Sequence, residues 1–253
     1  MPDFSVSLWV AVIAITLVAG FVKGTVGFAM PMIMISGLGS LLPPELALAA
    51  LMFPTLATNA AQAMRGGGSA ALASAKKHWR YIVIVMVMIA CSAQLVSILP
   101  SWALFLIIGV PVVIFALIQL AGVRFTIPPS GKVYAEFGLG GFSGFVGGMS
   151  GVWGPPTVLY LTALDTPKVE QMRVQGIIYG LAAVVLCAAH INSGVLTLAT
   201  APLSAVLLIP AMLGIAVGFR MSDALDQVKF RKATLVVLVV AGLNLIRRGI
   251  EGF

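Results

Sequence analysis

The chain reads GFVKGTVGFAMPMI from Gly20 to Ile33 and GFVGGMSGVWGPPTVLYL from Gly144 to Leu161. At a constant offset of 124 residues, a tripeptide, two glycines and two prolines coincide. The matches are Gly20-Phe21-Val22 with Gly144-Phe145-Val146, Gly24 with Gly148, Gly27 with Gly151, Pro31 with Pro155, and Pro43 with Pro167. So many matches in one register predict an internal repeat. Its halves are approximately residues 5–123 and 133–250, within a single domain of residues 1–253.

The composition is typical of a membrane protein. Apolar residues make up 60% of the 253 residues and charged residues 9%, against roughly 25% charged in an average soluble domain. About 20 apolar residues form a helix that crosses a hydrocarbon core. We therefore predict an all-α, polytopic transmembrane helical bundle. The expected spans are Leu8–Val22, Val26–Leu42, Leu46–Met64, Tyr81–Leu99, Trp102–Val123, Phe137–Leu164, Gly176–Ile191, Leu203–Phe219 and Ala233–Ile246.

The basic loops indicate how the two halves are oriented. Cytoplasmic loops are usually rich in lysine and arginine. Glycine and proline disfavour helix interiors, so neither quoted stretch is expected to be one continuous helix. If the region Phe137–Leu164 enters the membrane and returns, the basic loops at 65–80, 124–132, 168–173 and 220–232 share one side. Each half is then a broken helix or helical hairpin plus three spanning helices, and the two form inverted repeats.

The interrupted helices predict a central binding site. A broken backbone at membrane depth leaves polar groups unpaired unless protein, water or a ligand satisfies them. Free N–H groups at the start of a helix favour an anion, and Lys23 is the one strong cation near the first break. The predicted substrate-binding residues are Lys23, Gly24, Thr25, Gly27, Asn59, Gly148, Ser150, Gly151, Trp153 and Gly154.

The same residues also suit purely structural roles. The spacings Gly20-xxx-Gly24 and Gly140-xxx-Gly144 favour close helix packing. Lys23 could instead extend to the headgroup region, as long basic side chains near helix ends do. Interhelical hydrogen bonding explains a polar face on the third span as well as ligand contact does. That face consists of Thr55, Thr58, Asn59 and Gln62.

The sequence predicts no catalytic centre, metal site or cofactor. Its two histidines, His78 and His190, lie far apart, and Cys91 and Cys187 have no metal-ligand spacing. The carboxylates all lie near segment ends, so a coupled proton could travel on the substrate itself. An enzyme is therefore not expected.

The two quoted motifs resemble the paired signatures of the TauE/SafE sulfite exporter family. The length, the two-half layout and the basic loop at 65–80 are similar to that family across essentially the whole chain. The resemblance implies a permease for sulfur-containing or organic anions, such as sulfite or sulfoacetate, in the bacterial cytoplasmic (inner) membrane. Lys23 and Trp153-Gly154-Pro155-Pro156 depart from the shared pattern and could mark a subgroup.

We therefore expect a secondary transporter that moves a small anion by alternating access. A passive anion channel and a membrane assembly subunit without transport activity are the alternatives. The expected partners are the anionic substrate and the lipid bilayer, and not nucleic acid. Coupling to protons and assembly into a homo-oligomer are left open.

Overall fold

The structure is a computed structural model that describes residues 4–92, 100–123, 126–150, 153–192, 194–222 and 227–251. Within these ranges it contains α-helices and one short 3-10 turn at Pro129–Gly131, and no β-strand. The helices are α1 (Val6–Val26), α2 (Met30–Leu38), α3 (Pro44–Ala63), α4 (Gly68–Lys77), α5 (Trp79–Ser92), α6 (Ser101–Leu120), α7 (Lys132–Ser150), α8 (Gly154–Ala163), α9 (Lys168–Asn192), α10 (Ala201–Met221) and α11 (Gln227–Glu251).

In the part of the chain that the structure describes, four helices, α1, α3, α9 and α10, contain stretches long and apolar enough to cross a membrane. Helix α5 and the Phe105–Leu120 part of α6 are shorter apolar helices. Aliphatic side chains such as Val10 and Ile209 are 62% and 66% exposed, which is unfavourable in water but not in lipid. The predicted all-α membrane fold is confirmed.

Some helix bounds differ from the sequence-based expectation. Residues 65–80, expected as a loop, contain α4, because the segment GSAALASAKK is rich in residues with high helix propensity. In the expected span Val26–Leu42, Val26 is the last residue of α1, and a separate helix runs only from Met30 to Leu38. Residues 93–99 of the expected span Tyr81–Leu99 lie outside the described residues.

The helix bounds repeat along the chain. Helix α2 begins at residue 30 and α8 at residue 154. Helix α3 begins at residue 44 and α9 at residue 168, so both pairs of starting residues share the 124-residue offset. Such shared bounds are what an internal repeat would produce, and the inverted orientation of its halves stays a prediction.

The chain divides into two compact units. The first comprises residues 1–71 and 175–225, and the second comprises residues 72–174 and 226–253. In the first unit α1 packs along α10, and α10 packs along α3. In the second unit α5 packs along α7, and α6 packs along α11.

A proline inside α3 is compensated by a serine on α10. Pro54 has no N–H, so the carbonyl of Ala50, four residues earlier, loses its usual helical partner. The buried hydroxyl of Ser204 donates to that carbonyl at 3.2 Å and accepts from the N–H of Phe53 at 2.9 Å. Because lipid offers no hydrogen bonds, this contact fixes α10 against α3 in the first unit.

In the second unit, α7 and α8 form a hairpin. The N–H of Ile127, just before α7, donates to the carbonyl of Ala163 at the end of α8, at 2.8 Å. Helix α8 therefore returns to the end of the unit where α7 begins. In the first unit α2 likewise turns back along α1, where Gly37 lies against the side chain of Ile15.

Candidate functional site

The first unit buries a lysine without a carboxylate partner. Lys23 lies in the last turn of α1 and is only 1% exposed. Its ammonium donates to the hydroxyl of Thr58 at 3.1 Å and to the side-chain carbonyl of Asn59. Among the described residues it forms no ion pair. Lys23 is therefore directed at α3 and not toward a headgroup region.

The polar face of α3 supplies both of these partners. Thr58 and Asn59 are buried, and the Thr58 hydroxyl also donates to the carbonyl of Pro54 at 2.6 Å. Because the Asn59 carbonyl accepts from Lys23, its amide nitrogen is a donor, and this Nδ2 has no hydrogen-bond partner among the described residues. The buried hydroxyl of Thr55, one turn earlier, also lacks one there. The ammonium of Lys23 and the unused N–H donor of Asn59 therefore meet at this face of α3.

The break after α1 is held by the same face of α3. Gly27 has a φ of 86°, a left-handed conformation that glycine adopts without steric cost, and its N–H donates to the carbonyl of Lys23 at 2.7 Å. The side-chain amide of Gln62 donates to the Gly27 carbonyl at 2.9 Å. Ala29 also has a positive φ, 78°, before α2 begins. The side chain of Gln62 thus supplies a hydrogen bond to a backbone carbonyl at the break between α1 and α2.

Two other predicted residues of the first unit have structural contacts. The Thr25 hydroxyl donates to the carbonyl of Val22 at 2.8 Å, within its own helix. A Cβ atom at Gly24 would lie 2.5 Å from the carbonyl oxygen of Ile215 on α10. Gly24 therefore allows α1 and α10 to pack closely, and a role of either residue in substrate binding stays a prediction.

The second unit places the predicted residues differently. A Cβ at Gly148 would lie 2.6 Å from the carbonyl oxygen of Ile89, so this glycine allows close packing of α7 on α5. Trp153 is buried immediately before α8, which begins at Gly154. The side chain of Ser150 and the whole of Gly151 lie outside the described residues.

Lys23 and Trp153 each have a small residue at the position 124 residues away. The counterpart of Lys23 at the 124-residue offset is Gly147, and a Cβ there would lie 2.8 Å from the Cβ of Trp153. The counterpart of Trp153 is Ala29. Where the first break has a lysine and an alanine, the second has a glycine with an indole against it, so the two breaks differ chemically.

Hydroxyl groups surround the second break. The carbonyl of Trp153 accepts from Ser143 at 3.0 Å and from Thr157 at 2.9 Å. The Tyr81 hydroxyl donates to Thr157 at 3.2 Å. These neutral contacts connect α5, α7 and α8 without adding charge at the break.

Charged groups gather at the end of the second unit where α7 begins. The buried carboxylate of Glu136 lies 2.9 Å from Nε of Arg80 and 3.7 Å from Nζ of Lys132. It also accepts from the hydroxyl of Tyr160 at 3.2 Å. The ring of Tyr160 stacks on Tyr81 with centroids 4.0 Å apart. This network ties α8 to α7 and α5.

A second carboxylate holds the α4–α5 junction. Glu170 lies 2.9 Å from Nζ of Lys77 and 3.4 Å from Nε2 of His78. His78 is buried and has its ring edge-on to Tyr160, 6.1 Å between centroids. Burial lowers the pKa of His78 from its usual range, Glu170 opposes that change, and Lys132 and Lys77 add to it.

Sequence reasoning identified part of this arrangement. It singled out Lys23, Gly27 and Asn59, which lie together in the first unit. It left Thr58 and Gln62 between a packing and a binding role, and both contact the break or its lysine. It did not identify the His78–Glu170 contact, because charged loop residues ordinarily indicate topology before they indicate a site.

The comparisons with known proteins support a single assignment. A family model described as sulfite exporter TauE/SafE matches residues 12–245, nearly the whole chain. Comparisons with curated proteins and with solved structures gave no match.

Proposed function

Because the chain belongs to the sulfite exporter TauE/SafE family of membrane transporters, we propose that it is a secondary transporter for a small anion. The proposed substrates are a sulfur oxyanion such as sulfite or an organosulfonate such as sulfoacetate. The proposed location is the bacterial cytoplasmic membrane, and the proposed mechanism is alternating access. The chain acts as a carrier and not as an enzyme.

One observation carries the anion assignment. The Lys23 ammonium is buried and has only neutral oxygen partners among the described residues. A buried charge without a counter-charge is costly, and an anionic substrate would supply that counter-charge. The unused Nδ2 donor of Asn59 would add a second contact of the kind that an oxyanion accepts.

The interrupted helices support alternating access. Transporters with repeated halves often bind substrate where helices are discontinuous, because helix ends supply unpaired backbone groups there. Here the repeat bounds coincide around both breaks. In the proposal, the first break is lined by Gly24, Thr25 and Gly27. The second break is lined by Gly148, Ser150, Gly151, Trp153 and Gly154.

The test is uptake of labelled sulfite and of labelled sulfoacetate into proteoliposomes. We expect saturable uptake that is accelerated by unlabelled substrate inside the vesicles. Lys23→Met removes the charge and keeps an unbranched chain, and should lower uptake at least about tenfold, the loss of roughly 1.4 kcal/mol of anion stabilisation. The matched control is Lys76→Met, which makes the same change at an exposed lysine of α4.

Three results would contradict the proposal. Normal uptake by folded Lys23→Met protein would remove the lysine from the site. Uptake that does not saturate and shows no acceleration by internal substrate would indicate a channel. An absence of flux for both anions from folded protein would overturn the substrate assignment.

A further inference from the structure

We propose that His78 and Glu170 form a proton-binding latch that couples the protonation of His78 to opening of the turn between α8 and α9 during transport. The inference rests on the proposed transport function. The proton comes from water, and no other ligand is needed. Neither residue belongs to the substrate site proposed above.

The geometry of His78 makes it sensitive to protonation. It is only 1% exposed, and its Nε2 lies 3.4 Å from Oε1 of Glu170. Both ring nitrogens are buried, and among the described residues neither has a partner within hydrogen-bond geometry. In the neutral imidazole one nitrogen carries the hydrogen and the other does not, so the proton belongs on Nε2, facing the carboxylate, and Nδ1 is bare.

Adding a proton would change this balance. The new N–H bond forms at Nδ1, and the ring becomes an imidazolium with one buried donor that lacks an acceptor. Leaving a buried donor unpaired is unfavourable, and burial already lowers the pKa of His78 although Glu170 opposes this. The packed arrangement therefore prefers the neutral ring, and protonation favours an arrangement in which the ring reaches water.

Among the described residues, the charged groups near His78 come from α4, α5, α7 and α9 at this end of the second unit. Lys77 on α4 shares the Glu170 carboxylate with it, at 2.9 Å. Tyr160 on α8 faces the ring and donates to Glu136 on α7. Two further cations, Arg80 on α5 and Lys132 on α7, hold Glu136. Burial acts against the imidazolium, Glu170 favours it, and Lys132 and Lys77 add to the effect of burial.

The latch lies at the turn that joins α8 to α9. Tyr160 is in the last turn of α8 and Glu170 in the first turn of α9. The turn contains Asp165 with a φ of 51°, an uncommon conformation for a residue other than glycine. Releasing His78 would loosen both ends of this turn.

The direction in which pH changes the stability of the packed state follows from the lowered pKa of His78. A group whose pKa is lower in the packed state stabilises that state above its ordinary pKa, near 6.5, and loses this contribution as the pH falls below it. Acidification should therefore open the latch. For each unit of difference in pKa, the ratio of open to packed forms can rise up to about tenfold.

The experiment measures backbone hydrogen exchange at residues 160–172 of the protein in nanodiscs. Protection is expressed relative to the intrinsic exchange rate at each pH. The two pH values, about 7.5 and about 5.5, bracket histidine titration. In the unaltered protein protection should fall on acidification. His78→Gln should abolish this change, and His190→Gln, the same substitution at the other histidine, should keep it. Glu170→Gln removes the group that favours the imidazolium, so the pKa of His78 in the packed state falls further and protection should fall at least as much on acidification as in the unaltered protein.

Anion uptake is measured in parallel with equal pH on both sides of the vesicle membrane. Its pH dependence should be smaller in His78→Gln than in the unaltered protein and should be unchanged in His190→Gln. Protection in His78→Gln that still falls on acidification, as in the unaltered protein, would overturn the latch. Histidine-dependent exchange without any anion flux would contradict the transport function and leave proton binding at His78 standing.

Discussion

Lys23 is surrounded by groups that carry no charge, and this determines what the first unit can accept. The Thr58 hydroxyl and the Asn59 carbonyl satisfy part of its hydrogen bonding. Neither oxygen neutralises the ammonium. A carboxylate in the place of Asn59 would do so permanently and would compete with a substrate for the same cation.

This competition can be tested with Asn59→Asp. The new carboxylate should pair with Lys23, so the thermal stability should equal or exceed that of the unaltered protein. Anion uptake should fall at least about tenfold, because the carboxylate repels an anion from the site. Thermal unfolding of the purified protein and uptake into proteoliposomes are the measurements. Asn244→Asp, on the exposed surface of α11, is the control. Full uptake by Asn59→Asp would exclude an anion site at Lys23.

The two residues could be recognised from sequence, but their contact could not. A lysine and an asparagine stand out among apolar residues, because burial of polar groups in lipid requires partners. Whether Lys23 faces Asn59 depends on how α1 and α3 are rotated about their own axes. The chain pattern does not determine those rotations. Packing contacts such as Ser204 with Ala50 determine them.

At the scale of helices, the repeated glycines have the same structural role in both units. A Cβ at Gly20 would lie 2.5 Å from the carbonyl oxygen of Ala211 on α10. A Cβ at Gly144, its counterpart, would lie 2.5 Å from the carbonyl oxygen of Val85 on α5. Gly24 and Gly148 repeat this contact one turn later. Small residues of this spacing let helix backbones approach in membranes, where van der Waals packing replaces the hydrophobic effect.

We expect Gly24→Ala and Gly148→Ala to destabilise the fold by about 1–3 kcal/mol, the usual effect of overpacking. The controls are Gly138→Ala and Gly141→Ala on α7, where a Cβ would meet no atom within 4 Å. There alanine should be neutral or stabilising, because it favours helix more than glycine does. Thermal unfolding in detergent compares the four variants. Equal melting of all four would show that the helices are not closely packed at these glycines.

Sequence reasoning was most accurate where backbone chemistry is restrictive. Glycine and proline mark the break between α1 and α2, where Gly27 and Ala29 both have positive φ. Reasoning from hydropathy missed α4, because its alanine and lysine residues favour a helix without an apolar run. It also treated Glu136 as a segment-end charge, although that carboxylate is buried between helices.

At the scale of the whole molecule, membrane orientation is the main prediction that stays open. In the second unit Lys77 pairs with Glu170, so the α4–α5 junction and the start of α9 lie at one end. The start of α7 lies there too, since Arg80 pairs with Glu136. This arrangement is the one expected if the basic loops share the cytoplasmic side.

The inverted repeat then predicts that both chain termini face the periplasm. Single cysteines replacing Ser5, Lys76 or Glu251, in a chain without Cys91 and Cys187, can be labelled with a membrane-impermeant maleimide in intact cells whose outer membrane is permeable. We expect labelling at positions 5 and 251 in intact cells, and at position 76 only after lysis. Termini on opposite sides would contradict the inverted repeat.

The pairing of α1 with α10 also has a consequence for biosynthesis. The surface at Gly20 and Gly24 finds its partner only when Ala211 and Ile215 have been made. Translation proceeds at about 5–20 residues per second. Helix α1 is therefore in the bilayer for roughly 10–40 seconds before α10 is made, and its small-residue face has no α10 partner during that time. During that interval lipid, the insertion machinery or a neighbouring nascent chain must occupy that face. Quality control of this protein therefore depends on events near the end of translation, and a ribosome that stalls midway leaves an orphan helix for membrane proteases.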